Sequence, residues 1–167
     1  MEPSSPPAAC PVCDALLAPR DVPGSPFVAE LKTGQLLFDL HPLQEGHLRF
    51  VAKSHVADLL QLPDDERLAL WGDLDLVVRA VRVAFQPQRL NLTCSPDGLA
   101  TGHLSWDLVP RYADGEDEAL PFWQLPGADE ALSEESLAEQ RRRLLRGFLS
   151  VAPVRRETPP VKRGRGR

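Results

Sequence analysis

The segment Gly102-His103-Leu104-Ser105-Trp106-Asp107-Leu108-Val109-Pro110-Arg111-Tyr112 constrains the fold more than any other part of the chain. Polar and apolar residues alternate along it, and successive side chains of a strand point to opposite faces of a sheet. His103, Ser105 and Asp107 therefore share one face, and Leu104, Trp106 and Leu108 share the other. A strand with one wholly apolar face needs a covering layer, and the rest of the sequence must supply it.

The chain has 167 residues, 43% of them hydrophobic, which suits a single domain with short tails. No apolar run approaches the ~18 residues of a membrane span. The N-terminal stretch has neither the basic nor the apolar region of a signal peptide, so a cytoplasmic location is the expectation. Three cysteines argue against a disulfide framework. The net charge of −5 makes the chain a poor general nucleic-acid ligand. Only the basic, Gly-interrupted end 161–167 offers weak contact of that kind.

Residues 1–9 are Pro- and Ser-rich and read as a disordered tail, as do residues 151–167, leaving one domain over 10–150. Strands are expected at Phe27–Leu31, Gln35–Asp39, His47–Ala52 and Arg89–Cys94, besides the segment above. Asp64 and Asp65 read as caps of a long helix ending near Phe85, with a broad apolar stripe that includes Leu70, Trp71, Leu74 and Val77. Ser133 reads as the cap of a C-terminal helix over about 133–150, with arginines toward its end where the helix dipole favours them. The order β-β-β-α-β-β-α implies an α+β fold: an antiparallel sheet of about five strands, one long helix packed on it, and a C-terminal helix. Cys94 reads as a small buried strand residue.

Cys10-Pro11-Val12-Cys13 has the spacing with which two thiolates chelate one zinc ion from a tight turn. A redox pair is the functional rival, but such a pair normally follows a strand and opens a helix. By spacing alone, a pair with no special role stays open as well.

The alternating segment resembles the signature of the histidine-triad (HIT) family, His-φ-His-φ-His-φ-φ followed by Pro-Arg. The segment Phe38 to Val56, with Gly46-His47 and Lys53-Ser54-His55-Val56, is also similar to that family, and the likeness covers about residues 10–115. The resemblance implies the HIT-like fold and, for the branch that begins with Cys-x-x-Cys, a structural zinc ion held by Cys10, Cys13, His55 and His103. It implies a nucleotide or nucleoside ligand whose ribose hydroxyls bond to Asp39, and a homodimer joined through the long helix and a strand edge. His47 takes a bonded structural role near the pocket, and His41 a loop position.

The same resemblance places Ser105 and Asp107 at the second and third triad positions, of which the second is the family's nucleophile. A serine hydroxyl is a poor nucleophile unless a base takes its proton. A carboxylate at Asp107 would repel a phosphate ~4 Å away by about 4 kcal/mol at an effective dielectric near 20. The loop between Cys94 and His103 is about three residues shorter than the family's and lacks its Gly-Gln-Ser element, with Thr101 a candidate for one hydroxyl there. The expected function is a non-catalytic domain with a structural zinc, binding a nucleotide, another ligand or a protein partner. The alternatives are a HIT-type nucleotide hydrolase or transferase with altered chemistry at Ser105 and Asp107, and a vestigial pocket with the C-terminal helix and tail as an interaction element.

Overall fold

The computed structural model describes residues 10–96, 102–113 and 120–151. The element order is α1 (Pro11–Leu16), β1 (Phe27–Glu30), β2 (Gly34–Phe38), β3 (Leu48–Ala52), α2 (Asp64–Phe85), β4 (Arg89–Pro96), β5 (Leu104–Arg111) and α3 (Glu134–Val151). Short 3₁₀ turns lie at Leu59–Gln61 and Phe122–Gln124. The five strands form one antiparallel sheet in the order β1-β2-β3-β5-β4. The expected α+β architecture is therefore the observed one. The N-terminal tail, the C-terminal tail beyond Val151, which is still part of α3, Thr101 and most of the loop before β5 lie outside the described residues.

β5 sits between β3 and β4 and carries the alternation of its sequence into three dimensions. Leu104, Trp106 and Leu108 are at most 1% exposed and join Leu36, Leu48 and Phe50 in the core. Phe50 and Trp106 are cross-strand partners that meet edge to face, their centroids 6.0 Å apart. α2 presents Leu70, Leu74, Val77, Val81 and Phe85 to this layer. α3 packs on α2 through Leu137 and Leu144, and Gly147 lets the helices close: a Cβ there would lie 2.4 Å from the Ala80 carbonyl oxygen.

Three details depart from the sequence reading. Pro63, with no side-chain hydrogen bond, holds the N-cap position of α2, while Asp64, Asp65 and Glu66 fill its first turn and meet the positive end of the dipole. Leu68, Trp71 and Val83 of α2 are 75%, 47% and 46% exposed, so the apolar circumference of this helix is not all core. Cys94 is exposed, not buried, because β4 is an edge strand with a neighbour on one side only. Ser133 does cap α3, its hydroxyl accepting from the Ser136 N–H at 3.2 Å. No described helix is long and apolar enough to cross a membrane.

Candidate metal centre and triad face

Four metal-ligating side chains meet at the N-terminal end of β5. Cys10 is the N-cap of α1, its sulfur facing the Cys13 N–H at 3.5 Å, so the helix turn brings the second sulfur back beside the first. The pair thus opens a short helix rather than sitting on a bare turn. His55 follows β3, and His103 immediately precedes β5. These two segments are held together by a hydrogen bond from the Leu104 N–H to the Val56 carbonyl at 2.8 Å. Gln35 of β2 fixes α1 from the other side by donating to the Leu16 carbonyl at 3.0 Å.

The spacing of the donor atoms fits a tetrahedral ion. Cys13 Sγ lies 3.3 Å from His55 Nδ1 and 3.5 Å from His103 Nδ1, and Cys10 Sγ lies 3.7 Å from His103 Nδ1. Ligands at about 2.3 Å (sulfur) and 2.0 Å (nitrogen) from a tetrahedral zinc ion are separated by about 3.5 Å along a sulfur–nitrogen edge. All four donor atoms lie within 4.8 Å of one another. The tautomer of His103 also fits. Its Nε2 lies 2.8 Å from the Ala52 carbonyl, which can only accept, so the ring proton is on Nε2 and the Nδ1 lone pair faces the sulfurs. A carbonyl holding the outer nitrogen of a ligating imidazole is the usual support for a metal site. Burial and the neighbouring Cys10 push the Cys13 thiol up from its ordinary value, so without a cation its charged form is disfavoured.

The other end of the same strand face is built differently. Asp107 lies directly across from Arg49 of β3. Arg49 Nε donates to Asp107 Oδ1 at 3.0 Å, and its guanidinium also reaches Asp39 Oδ2 at 3.5 Å. The other oxygen of Asp39 accepts from the His41 N–H at 2.9 Å. His47, held by the left-handed Gly46 turn just before β3, is 4% exposed. Its Nδ1 accepts from the Leu43 N–H at 3.3 Å, which leaves the proton on Nε2, 3.6 Å from Asp107 Oδ1. Burial works against the charged form of Asp107, but His47 and Arg49 outweigh it and hold its carboxyl below the usual carboxylate range.

Asp39, His47 and Asp107 also bring three ligand-type atoms within 4.8 Å of one another. Their chemistry is wrong for a metal. His47 would have to lose its Nε2 proton while Nδ1 remains an acceptor, and Arg49 already supplies the positive charge. Ser105, between the two ends, is 1% exposed.

All four expected metal ligands are therefore together, and Ser105, Asp107 and Asp39 lie along the same side of the sheet. The expected repulsion at Asp107 is altered, because a cation inside the chain answers its charge. Arg49 is the residue that sequence reasoning missed. Its signal was a lone arginine between Leu48 and Phe50, on the same strand face as His47.

No family model and no curated protein matches the sequence. Solved structures do match the fold. A zinc-bound histidine triad family protein from Mycobacterium smegmatis superposes with a TM-score of 0.61 at 21% identity, over 85% of this chain and 97% of that one. A hypothetical histidine triad nucleotide-binding protein from Sulfolobus tokodaii strain 7 gives 0.63 at 18% identity, over 84% and 93%. A histidine triad protein from Marinobacter aquaeolei VT8 gives 0.65 at 15% identity, over 77% and 91%.

Proposed function

We infer the function from one premise: this chain is a HIT-like protein with the histidine-triad fold. We propose that it is a non-catalytic member of that fold, with a structural zinc ion at Cys10, Cys13, His55 and His103 and a ligand-binding role for a nucleotide, a nucleoside or a partner at the β3–β5 face.

The observation that carries the non-catalytic reading is Ser105. It stands at the position of the family's nucleophile, and its hydroxyl is buried at 1% exposure. A nucleophile must reach the reacting atom, at about 3–3.5 Å, and needs a base that takes its proton. Asp107, two residues along, is engaged by Arg49 at 3.0 Å rather than held as a free base. The zinc ion closes all four positions with protein ligands, which is the pattern of a structural rather than a catalytic site. It ties α1 to the start of β5. Asp39 is the residue proposed to meet a ribose, since a carboxylate can accept from two hydroxyls and each of its oxygens carries a second lone pair.

The exposed Leu68, Trp71 and Val83 of α2, together with the open edge at β4, support a homodimer. Three free cysteines suit the cytoplasm, where thiols stay reduced.

Incubation of the protein with adenosine phosphoramidate and diadenosine polyphosphates tests the central part of this reading. The expected result is no release of AMP above the uncatalysed background. Steady turnover abolished by Ser105→Ala would replace the non-catalytic reading with the altered-chemistry one.

A further inference from the structure

Two hydrogen-bond donors converge on one carboxylate oxygen at the C-terminal half of β5. Arg49 Nε reaches Asp107 Oδ1 at 3.0 Å, a full charge-assisted hydrogen bond. His47 Nε2 also faces that oxygen, but from 3.6 Å, beyond hydrogen-bond reach. The His47 side chain is 5% exposed, and its Nε2 has no hydrogen-bond partner among the described residues. A buried N–H of this kind costs free energy unless something accepts from it. The short Asp107 side chain, anchored on its own strand, satisfies Arg49 and leaves His47 unmet.

A guanidinium beside an N–H is the donor set of an oxyanion site. A tetrahedral oxyanion is larger than a carboxylate and offers several acceptor oxygens, so it can serve both donors at once. We propose that the Arg49–His47 pair is an anion subsite, that Asp107 fills it from within the chain, and that this internal anion is what excludes phosphate from the β3–β5 face. The inference rests on the ligand-binding reading given above for the face concerned and narrows it, keeping the nucleoside or partner and dropping the nucleotide. It explains why an arginine stands at position 49 in an otherwise apolar strand, directly across from the one acidic residue of β5. It also gives the face a ligand class. Uncharged groups are admitted there, and phosphorylated ones are rejected while Asp107 is in place.

The test is a titration of the full chain, as purified with its metal, by inorganic phosphate, followed by 31P NMR line width and by thermal shift. Wild type is expected to show no saturable binding at millimolar phosphate. Asp107→Ala is expected to gain it by about tenfold or more, the equivalent of one charge-assisted hydrogen bond. Asp107→Ala combined with Arg49→Met is expected to lose that gain. Asp107→Asn, which removes the charge at constant volume, serves if the alanine variant fails to fold.

Saturable phosphate binding by wild type as tight as that of Asp107→Ala would overturn the proposal. So would folded Asp107→Ala and Asp107→Asn proteins that gain nothing. Parallel titrations with adenosine and AMP separate this inference from the reading beneath it. A gain for phosphate with no response to either nucleoside compound supports the internal anion and removes the nucleotide reading. Wild-type binding of AMP more tightly than adenosine sinks the internal anion and keeps the nucleotide reading.

Discussion

The two ends of β5 pose the same physical problem and solve it in opposite ways. At the His103 end, two sulfurs and two ring nitrogens converge, and no cationic side chain of the described residues pairs with them. At the Asp107 end, two carboxylates converge as well, but Arg49 stands between them and contacts both. The first end has the donor set of a site that takes a cation from solution. The second has its cation built in. The contrast teaches that two clusters of ligand-type residues can differ in whether a side chain of the protein already answers their charge. The positions sit on one strand face, but their neighbours come from different elements, so the two ends can differ in chemistry.

The contrast is broken most forcefully at the metal end. Cys13→Ser removes a ligand and leaves three donors without the ion that orders them. The expected loss is about 3–5 kcal/mol, or roughly 10 °C in Tm for a domain of this size, read by calorimetry on the purified protein. A variant that melts with wild type would mean that no ion holds α1 to β5.

At the other end the effect is smaller. Arg49→Met leaves Asp107 with its charge half-buried and its strongest partner gone, at a cost of about 1–2 kcal/mol, between the values for exposed and fully buried ion pairs. Pairing Arg49→Met with Asp107→Leu should recover most of that loss, a coupling that a double-mutant cycle by urea unfolding measures. The same end has a pH signature. The Asp107 carboxyl is held below its ordinary 3.8 in the folded protein. Its contribution is therefore complete above the unfolded value near ~4 and is lost as pH falls through the lower folded value. The stability of wild type over Asp107→Asn should accordingly be constant from neutral pH down to about 5 and shrink below about 4. An advantage that grew on acidification would assign the wrong sign to the Arg49 contact.

Cys94→Ser sharpens the comparison by doing almost nothing. Cys94 is exposed on the edge strand and outside the metal cluster, so metal content should be unchanged and stability should move by less than about 0.5 kcal/mol. Loss of metal in this variant would show that the third thiol takes part.

Much of this was legible in the sequence, and the exceptions have physical causes. The alternation from His103 to Leu108 carries its own period, so the division of that strand into a core face and a functional face needed no partner to be read. The metal set rests on a resemblance, since nothing in the local sequence brings His55 and His103 to the two cysteines; the pairing of β3 with β5 joins the histidines, and α1, held by Gln35, carries the cysteines to them. The role of Arg49 is hidden from the local sequence for the same reason. Its meaning lies in the register that sets it across from Asp107, and register is a property of two strands together. The exposure of Cys94 is not legible in its own segment, because period alone does not say which strand ends up at the edge. At the start of α2, Asp64 and Asp65 resemble caps in sequence but lie in the first turn and act through the dipole.

The division of β5 is tested most directly by zinc content, measured by elemental analysis on protein never exposed to chelator, for wild type, Asp107→Asn and Cys13→Ser together. The account predicts about one zinc per chain in wild type and in Asp107→Asn, and none in Cys13→Ser. Zinc absent from wild type, or lost with Asp107 and kept without Cys13, would contradict it.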